Sequence, residues 1–359
     1  MNSDFDDWFN SEELINSVKK WKDCIKNILI NNLPKYERVI ILSDYGYPVS
    51  KIAPMFAKLY ELSLAELKIP YESVFQEPKS TGESAEPQII SKILSANSKT
   101  LIILSFSGRL GSLSSIGKSF RKYANSHNIP FLSTSGMLEL KINKFDAFME
   151  SVDIDYVELC RKGQMLKSLL DRGTKINIKT DNGTDLTLDI SKFDAIVNDG
   201  IYVEYLGGNM PVGEVYIAPS KRMGDGKLVI DISSKNMHGT AQIQTPITIE
   251  FKDGEAVSIT GGEEAEKLKE SLEFIKQKAK HPWGIKLIGE LGIGINTSAK
   301  ILGPTIVNEK KAGTAHIALG SNSWFGGDIF ALNHYDQVFN DPKISIDGVP
   351  IDLKSIIGY

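Results

Sequence analysis

The feature that most constrains this chain is a change of hydrophobic pattern part-way along it. Up to about residue 145, short runs with no polar interruption, such as Val39 to Leu42 and Leu101 to Leu104, alternate with stretches of helical periodicity. A strand that is apolar on both faces has to be covered on both faces, which is the situation of a parallel sheet packed under helices. The spacing predicts strands at Arg38 to Ser43, Glu72 to Gln76, Thr100 to Ser105 and Pro130 to Thr134. Helices are expected between them near Ala53 to Leu67, Gln88 to Ala96 and Ile116 to His127. Ser11-Glu12-Glu13-Leu14 reads as the capped start of a first helix that runs through Leu29. This half is therefore an open, Rossmann-like α/β domain with a parallel sheet.

After a helix over Tyr156 to Asp171 the pattern shortens. Lys175 to Thr180 and Asp185 to Asp189 are joined through Asp181-Asn182-Gly183, the turn chemistry of a β-hairpin. Further strands are expected at Gly213 to Ala218, Lys227 to Ile232, Ile247 to Lys252 and Val257 to Thr260, with Asp253-Gly254 as a second hairpin turn. One helix, Glu263 to Lys280, precedes strand-like stretches at Gly284 to Gly294, Gly313 to Gly320 and Asp328 to Val338. The second half reads as a strand-rich, mixed α+β domain, with a barrel-like arrangement as one form it could take. A chain of 359 residues exceeds one hydrophobic core. The expected division is residues 1–150 and 151–359, with the boundary between about 145 and 170.

Composition excludes several classes of function. The longest apolar runs are of strand length, so no membrane span is expected. The acidic start Met1-Asn2-Ser3-Asp4-Phe5-Asp6-Asp7 is unlike a secretory signal, which makes the cytoplasm the expected location. A net charge of −4 gives no general attraction to nucleic acid. Cys24 and Cys160 have no paired spacing, so a metal would have to be bound by histidine and carboxylate. Cys160 is expected in the core, on one face of an amphipathic helix.

Five histidines are available: His127, His238, His281, His316 and His334. In Asn333-His334-Tyr335-Asp336 an extended backbone puts His334 and Asp336 on one face, where both can point at one ion. In Gly313 to Gly320, His316 shares its face with the small Ala318 while Ile317 and Leu319 face a core. Within Gly289-Glu290-Leu291-Gly292-Ile293-Gly294, Glu290 shares a face with two glycines, a pattern that marks close approach of a ligand or another backbone. Glu214 similarly opposes Val215 and Ile217. Each residue alone has a structural explanation. Together Glu214, Glu290, His316, His334 and Asp336 supply the nitrogen and oxygen ligands that suit zinc, manganese, cobalt or iron.

Other segments carry weaker signals. Gly117-Lys118-Ser119 has the ending of a phosphate-binding loop, but Ser112 stands where the first glycine belongs and Gly111 comes one place early, so a loop feeding a helix is expected. Ser107 to Ser115 is a polar loop that could line a crevice of an open sheet. His238, before Gly239, and His281, before Pro282, read as loop residues.

Four stretches in order, Gly208-Asn209-Met210-Pro211-Val212-Gly213-Glu214-Val215, Gly289-Glu290-Leu291-Gly292-Ile293-Gly294, Ala315-His316-Ile317-Ala318-Leu319-Gly320 and His334-Tyr335-Asp336, resemble the metal-dependent aminopeptidases typified by aminopeptidase T and aminopeptidase S. The likeness runs from about residue 150 to the end and is looser before it. It implies a two-metal site on Glu214, Glu290, His316, His334 and Asp336, with Glu290 as the catalytic proton carrier. It also implies a homodimer acting on short peptides or on an amino-acid-derived small molecule. Two departures stand out. The larger enzymes place a tyrosine shortly after the His-Ile-Ala-Leu-Gly stretch, where this chain has Ser321-Asn322-Ser323-Trp324-Phe325-Gly326-Gly327, and the interval from His316 to His334 is shorter here. The chain thus resembles a shorter branch, with Asn322 or Ser323 as alternative hydrogen-bond donors. Relatives that open a dihydroxypyridine ring resemble the same fold and would use His316, His334 and Asp336 to hold one iron. A non-peptidase accessory or biosynthetic protein on this scaffold is the third reading.

Overall fold

The computed structural model describes residues 3–32, 36–80, 82–113, 116, 117, 119–202, 207–280 and 282–359. Contacts divide the chain into two compact units, one of residues 1–156 with 199–212, the other of 157–198 with 213–359. Among the described residues, no helix is long and apolar enough to cross a membrane.

In the first unit, β1 (Arg38–Asp44), β2 (Tyr71–Gln76), β3 (Thr100–Ser105) and β4 (Phe131–Ser133) are parallel, as their uninterrupted apolar runs require. Ile40, Leu42, Ile102 and Leu104 pack on one face with Ile89 and Ile93 of the helix Pro87–Leu94 and Ala124 of the helix Phe120–Ser126. On the other face Ser105 donates to the Ala53 carbonyl in the helix Ile52–Glu66. The helix expected from Ile116 begins at Phe120, because the Ser119 side chain caps it by accepting from the Lys122 amide. That places the phosphate-loop-like segment in the lead-in to a helix, although Lys118 lies outside the described residues, as do Ser114 and Ser115 of the polar loop.

The expected single helix from Ser11 to Leu29 is instead three, Ser3–Ser11, Ile15–Lys19 and Lys22–Asn32. Ser11 closes the first by donating to the Trp8 carbonyl, and Glu13 sits at φ 56, a conformation that no residue of a right-handed helix holds. Cys160 is only partly buried, since its helix, Tyr156–Arg172, presents it toward the edge of its apolar face.

The second unit holds two seven-stranded sheets. Its strands in chain order are β5 (Lys175–Lys179), β6 (Asp185–Asp189) and β7 (Ile196–Asn198); then, after β8 (Gly207–Asn209), come β9 (Glu214–Ile217), β10 (Gly224–Ile230), β11 (Ser233–Asn236) and β12 (Gly239–Gln242). The remainder are β13 (Ile247–Lys252), β14 (Glu255–Thr260), β15 (Ile288–Gly294), β16 (Thr314–Gly320), β17 (His334–Asn340), β18 (Lys343–Ile346) and β19 (Val349–Ile351). One sheet has the order β14-β13-β10-β6-β5-β18-β19 and the other β12-β11-β17-β16-β15-β9-β7. Among the described residues both sheets are open and neither closes into a barrel. The strand β8 belongs to the first unit, where it extends the parallel sheet to the order β2-β1-β3-β4-β8. Gly207 pairs with Phe131 there at φ +151, and a Cβ on it would lie 1.7 Å from the Phe131 carbonyl oxygen. Only glycine fits such a contact.

Candidate metal centre

The strands β9, β15, β16 and β17 are antiparallel neighbours, and their pairing sets the site. Leu291, Ile293, Ile317 and Leu319 point to the buried core, so the intervening residues share the other face. On that face Gly294 is opposite Glu214, Gly292 lies between Tyr216 and His316, Ala318 lies between Glu290 and Asp336, and Gly320 is opposite His334. Every functional side chain thus has a glycine or an alanine beside it, which leaves room for the larger groups to converge. The glycine face of β15 makes way for a side chain of the neighbouring strand: a Cβ on Gly292 would stand 2.1 Å from Cε1 of His316.

The five residues selected from the sequence lie in one cluster. Nε2 of His316 is 3.0 Å from Oε1 of Glu290 and 3.9 Å from Oε2 of Glu214. Nε2 of His334 is 3.1 Å from Oδ1 of Asp336 and 3.5 Å from Oε2 of Glu290. The other nitrogen of His334, Nδ1, is 2.7 Å from the Ser321 carbonyl oxygen, so it carries the hydrogen and Nε2 is directed at the carboxylates. Among the described residues, three groups offer ligand atoms within 4.8 Å of one another: Glu214, Glu290 and His316; Glu290, His334 and Asp336; and Glu309, His316 and Asp336.

Two charged residues here were not selected from the sequence. Lys310, 2% exposed, pairs with Glu214 and lies 2.6 Å from Oε1 of Glu309. In the sequence Glu309-Lys310-Lys311 looks like a solvated charge run, and its only unusual signal is its place just before the strand that carries His316. Asn322 is fully buried, its amide donating to the Gly289 carbonyl and its oxygen accepting from the Ile329 amide. Ser323 remains at the turn, 3.3 Å from the Ser321 hydroxyl. His238 closes the turn between β11 and β12, and His281 lies outside the described residues.

The electrostatics are those of buried anions around imidazoles. Burial alone would push His316 down, yet the hydrogen bond to Glu290 and the negative charges of Glu309, Glu290 and Asp336 raise it to about 9. His334, also opposed by burial, is raised to about 10 by Asp336 and Glu290. Burial would raise Asp336, but the facing His334, with His316 and Lys310, holds it well below the usual carboxylate range. Glu309 is pushed up to about 7 by burial against the pull of Lys310.

Oε2 of Glu290 and Nδ1 of His316 are buried without a hydrogen-bond partner. Desolvated polar atoms of this kind are rare unless something else satisfies them, and a divalent cation fits the donor set.

Fold and site together define a two-unit α/β protein with a histidine–carboxylate cluster suited to a divalent metal. A family profile described as "NicX: 2,5-dihydroxypyridine 5,6-dioxygenase" matches residues 156–355, and the chain belongs to that family. Among solved structures it is similar to the 2,5-dihydroxypyridine dioxygenase of Pseudomonas putida KT2440, at 14% identity and TM-score 0.69, over 93% of this chain and 95% of that one. It is similar also to AmpT of Thermus thermophilus, at 14% identity and TM-score 0.63, over 93% of this chain and 98% of that one. These two likenesses show a shared fold. No curated protein matches the chain.

Proposed function

We propose that this protein is a two-metal hydrolase that releases N-terminal residues from short peptides. The observation that carries the reading is the position of Glu290, which belongs to two of the three-residue groups. Its Oε1 faces His316 and its Oε2 faces His334, so one carboxylate is common to two cation positions. Glu214 and His316 would complete the first, and His334 and Asp336 the second. Bound there, a pair of divalent ions supplies an activated water and polarises the scissile carbonyl. Asp336 keeps an anionic oxygen to receive the free amine of the substrate, and Lys310 fixes Glu214 by pairing with its Oε1. Glu290 is also the residue assigned to carry a proton from water to the leaving amine, through whichever of its oxygens an ion leaves free.

The second reading, a mononuclear iron enzyme that opens an aromatic ring, is favoured by the family profile. It would need His316, His334 and Asp336 on one ion, whereas each of the groups that closes within 4.8 Å contains a single histidine. Elemental analysis after chelation and reloading separates the two. Two ions of zinc, cobalt or manganese per chain, with release of N-terminal residues that Glu290→Gln abolishes, supports hydrolysis. One ferrous ion per chain with uptake of oxygen overturns it. A homodimer belongs to the proposal, and light scattering of the purified protein tests it.

A further inference from the structure

Beside His334 the same sheet face meets an aromatic wall. Trp324 and Phe325 occupy the single helical turn Ser323–Phe325, and Tyr216 stands on the site face opposite Gly292. The Phe325 ring is 4.6 Å from Trp324 and 5.2 Å from Tyr216, both edge to face. The Trp324 ring is edge-on to the His334 imidazole at 5.8 Å, and Phe325 is edge-on to it at 6.4 Å. The segment is fastened rather than loose. The Asn322 carbonyl accepts from the amides of Phe325 and Gly327, and its side chain ties Ile329 to Gly289. Gly326 turns the chain at φ +105, and Gly327 must be glycine because its Cβ would stand 2.1 Å from the Asn322 side chain. In spite of this bracing, Trp324 stays 40% exposed beside His334.

We infer that Trp324, Phe325 and Tyr216 form the pocket for an aromatic or large aliphatic side chain on the residue whose amine and carbonyl face the carboxylates. The inference rests on the peptidase reading for the orientation of the substrate, but the geometry of the wall does not depend on turnover. A preorganised apolar surface of this kind discriminates by the area it removes from water, and an aromatic ring adds edge-to-face contact with the indole. A small or acidic side chain gains neither, and the acidic one also meets the anionic cluster.

Two measurements test it. In the first, calorimetry on manganese-loaded protein compares phenylalaninol and leucinol with alaninol. The expected result is binding about ten- to a hundredfold tighter for the larger amino alcohols, a difference that Trp324→Ala removes and Trp324→Phe largely restores, with bound manganese unchanged. Equal affinity for all three ligands overturns the inference. In the second, hydrolysis of phenylalanine, leucine, alanine and aspartate amides is followed. Trp324→Ala should lower kcat/KM for the first two about tenfold or more while altering alanine amide less than about twofold. A uniform loss across the panel identifies a merely structural tryptophan and overturns the inference. If no amide is cleaved with any metal while phenylalaninol still binds through Trp324, the peptidase reading fails and the pocket stands.

Discussion

Lys310 is the residue on which the anionic cluster depends. It neutralises Glu214 and Glu309 in a position with almost no contact with water, so Lys310→Met leaves two buried carboxylates without their counter-charge. The expected cost is about 3–5 kcal/mol in denaturant unfolding, and a loss below about 1 kcal/mol would contradict the pairing described here. Gly292 is the complementary case. A methyl group there collides with the His316 ring, and Gly292→Ala should weaken manganese binding about ten- to a hundredfold, measured by competition with a chelating dye.

The shifted pKa values set how the stability of the chelated protein depends on pH. The values of His316 and His334, raised from 6.5 to about 9 and about 10, contribute stability that is complete below about pH 6.5 and lost as pH climbs through about 9 to 10. Glu309, raised from 4.5 to about 7, loses its contribution in the same direction, between those two values. Asp336 is depressed, so its contribution is present above about pH 3.8 and disappears on acidification. These groups should therefore give the chelated protein a Tm that declines from about pH 6.5 to about pH 10. Metal loading should show the reverse trend, because the ions displace protons and apparent affinity climbs over the same interval. A flat Tm profile in chelator would show that the neighbouring carboxylates do not hold the imidazoles in their charged form.

At the scale of elements, the parallel strands and the metal-facing strands were legible in the sequence for opposite reasons. β1 and β3 announce themselves by unbroken apolar runs, whereas β15 and β16 do so by alternation, which set Glu290 and His316 each on the face of its own strand opposite the aliphatic residues; the pairing then makes those one face. Glu309 and Lys310 were not legible, because their burial follows from how the segment between β15 and β16 folds back. Nor was β8, whose Gly-Gly-Asn sequence has no hydrophobic signal and pairs only because glycine permits contact with β4. The break at Glu13 shows the limit of capping patterns, since the same four residues can close one helix or begin another. Two substitutions test elements. Asn322→Ala removes two buried hydrogen bonds that brace the turn before β17 and should cost about 1–3 kcal/mol, with Trp324 more accessible to quenchers of fluorescence. Gly207→Ala should detach β8 from β4, seen as faster amide exchange at Phe131 to Ser133.

For the whole molecule, the path of the chain through its two units decides what can be cut. It passes from the first to the second at residues 156/157, returns at 198/199, and leaves again at 212/213. A fragment of residues 157–359 keeps both seven-stranded sheets but also β8, which has lost β4 as its partner. Replacing residues 199–212 by a short polar linker should therefore raise the soluble yield of that fragment, and an unchanged yield would show that the returning segment is indifferent to its sheet. The interlaced route also bears on ancestry. A gene that joined two finished modules end to end would leave one junction, and this chain has three, so neither half can be traded in a single recombination event without breaking the other.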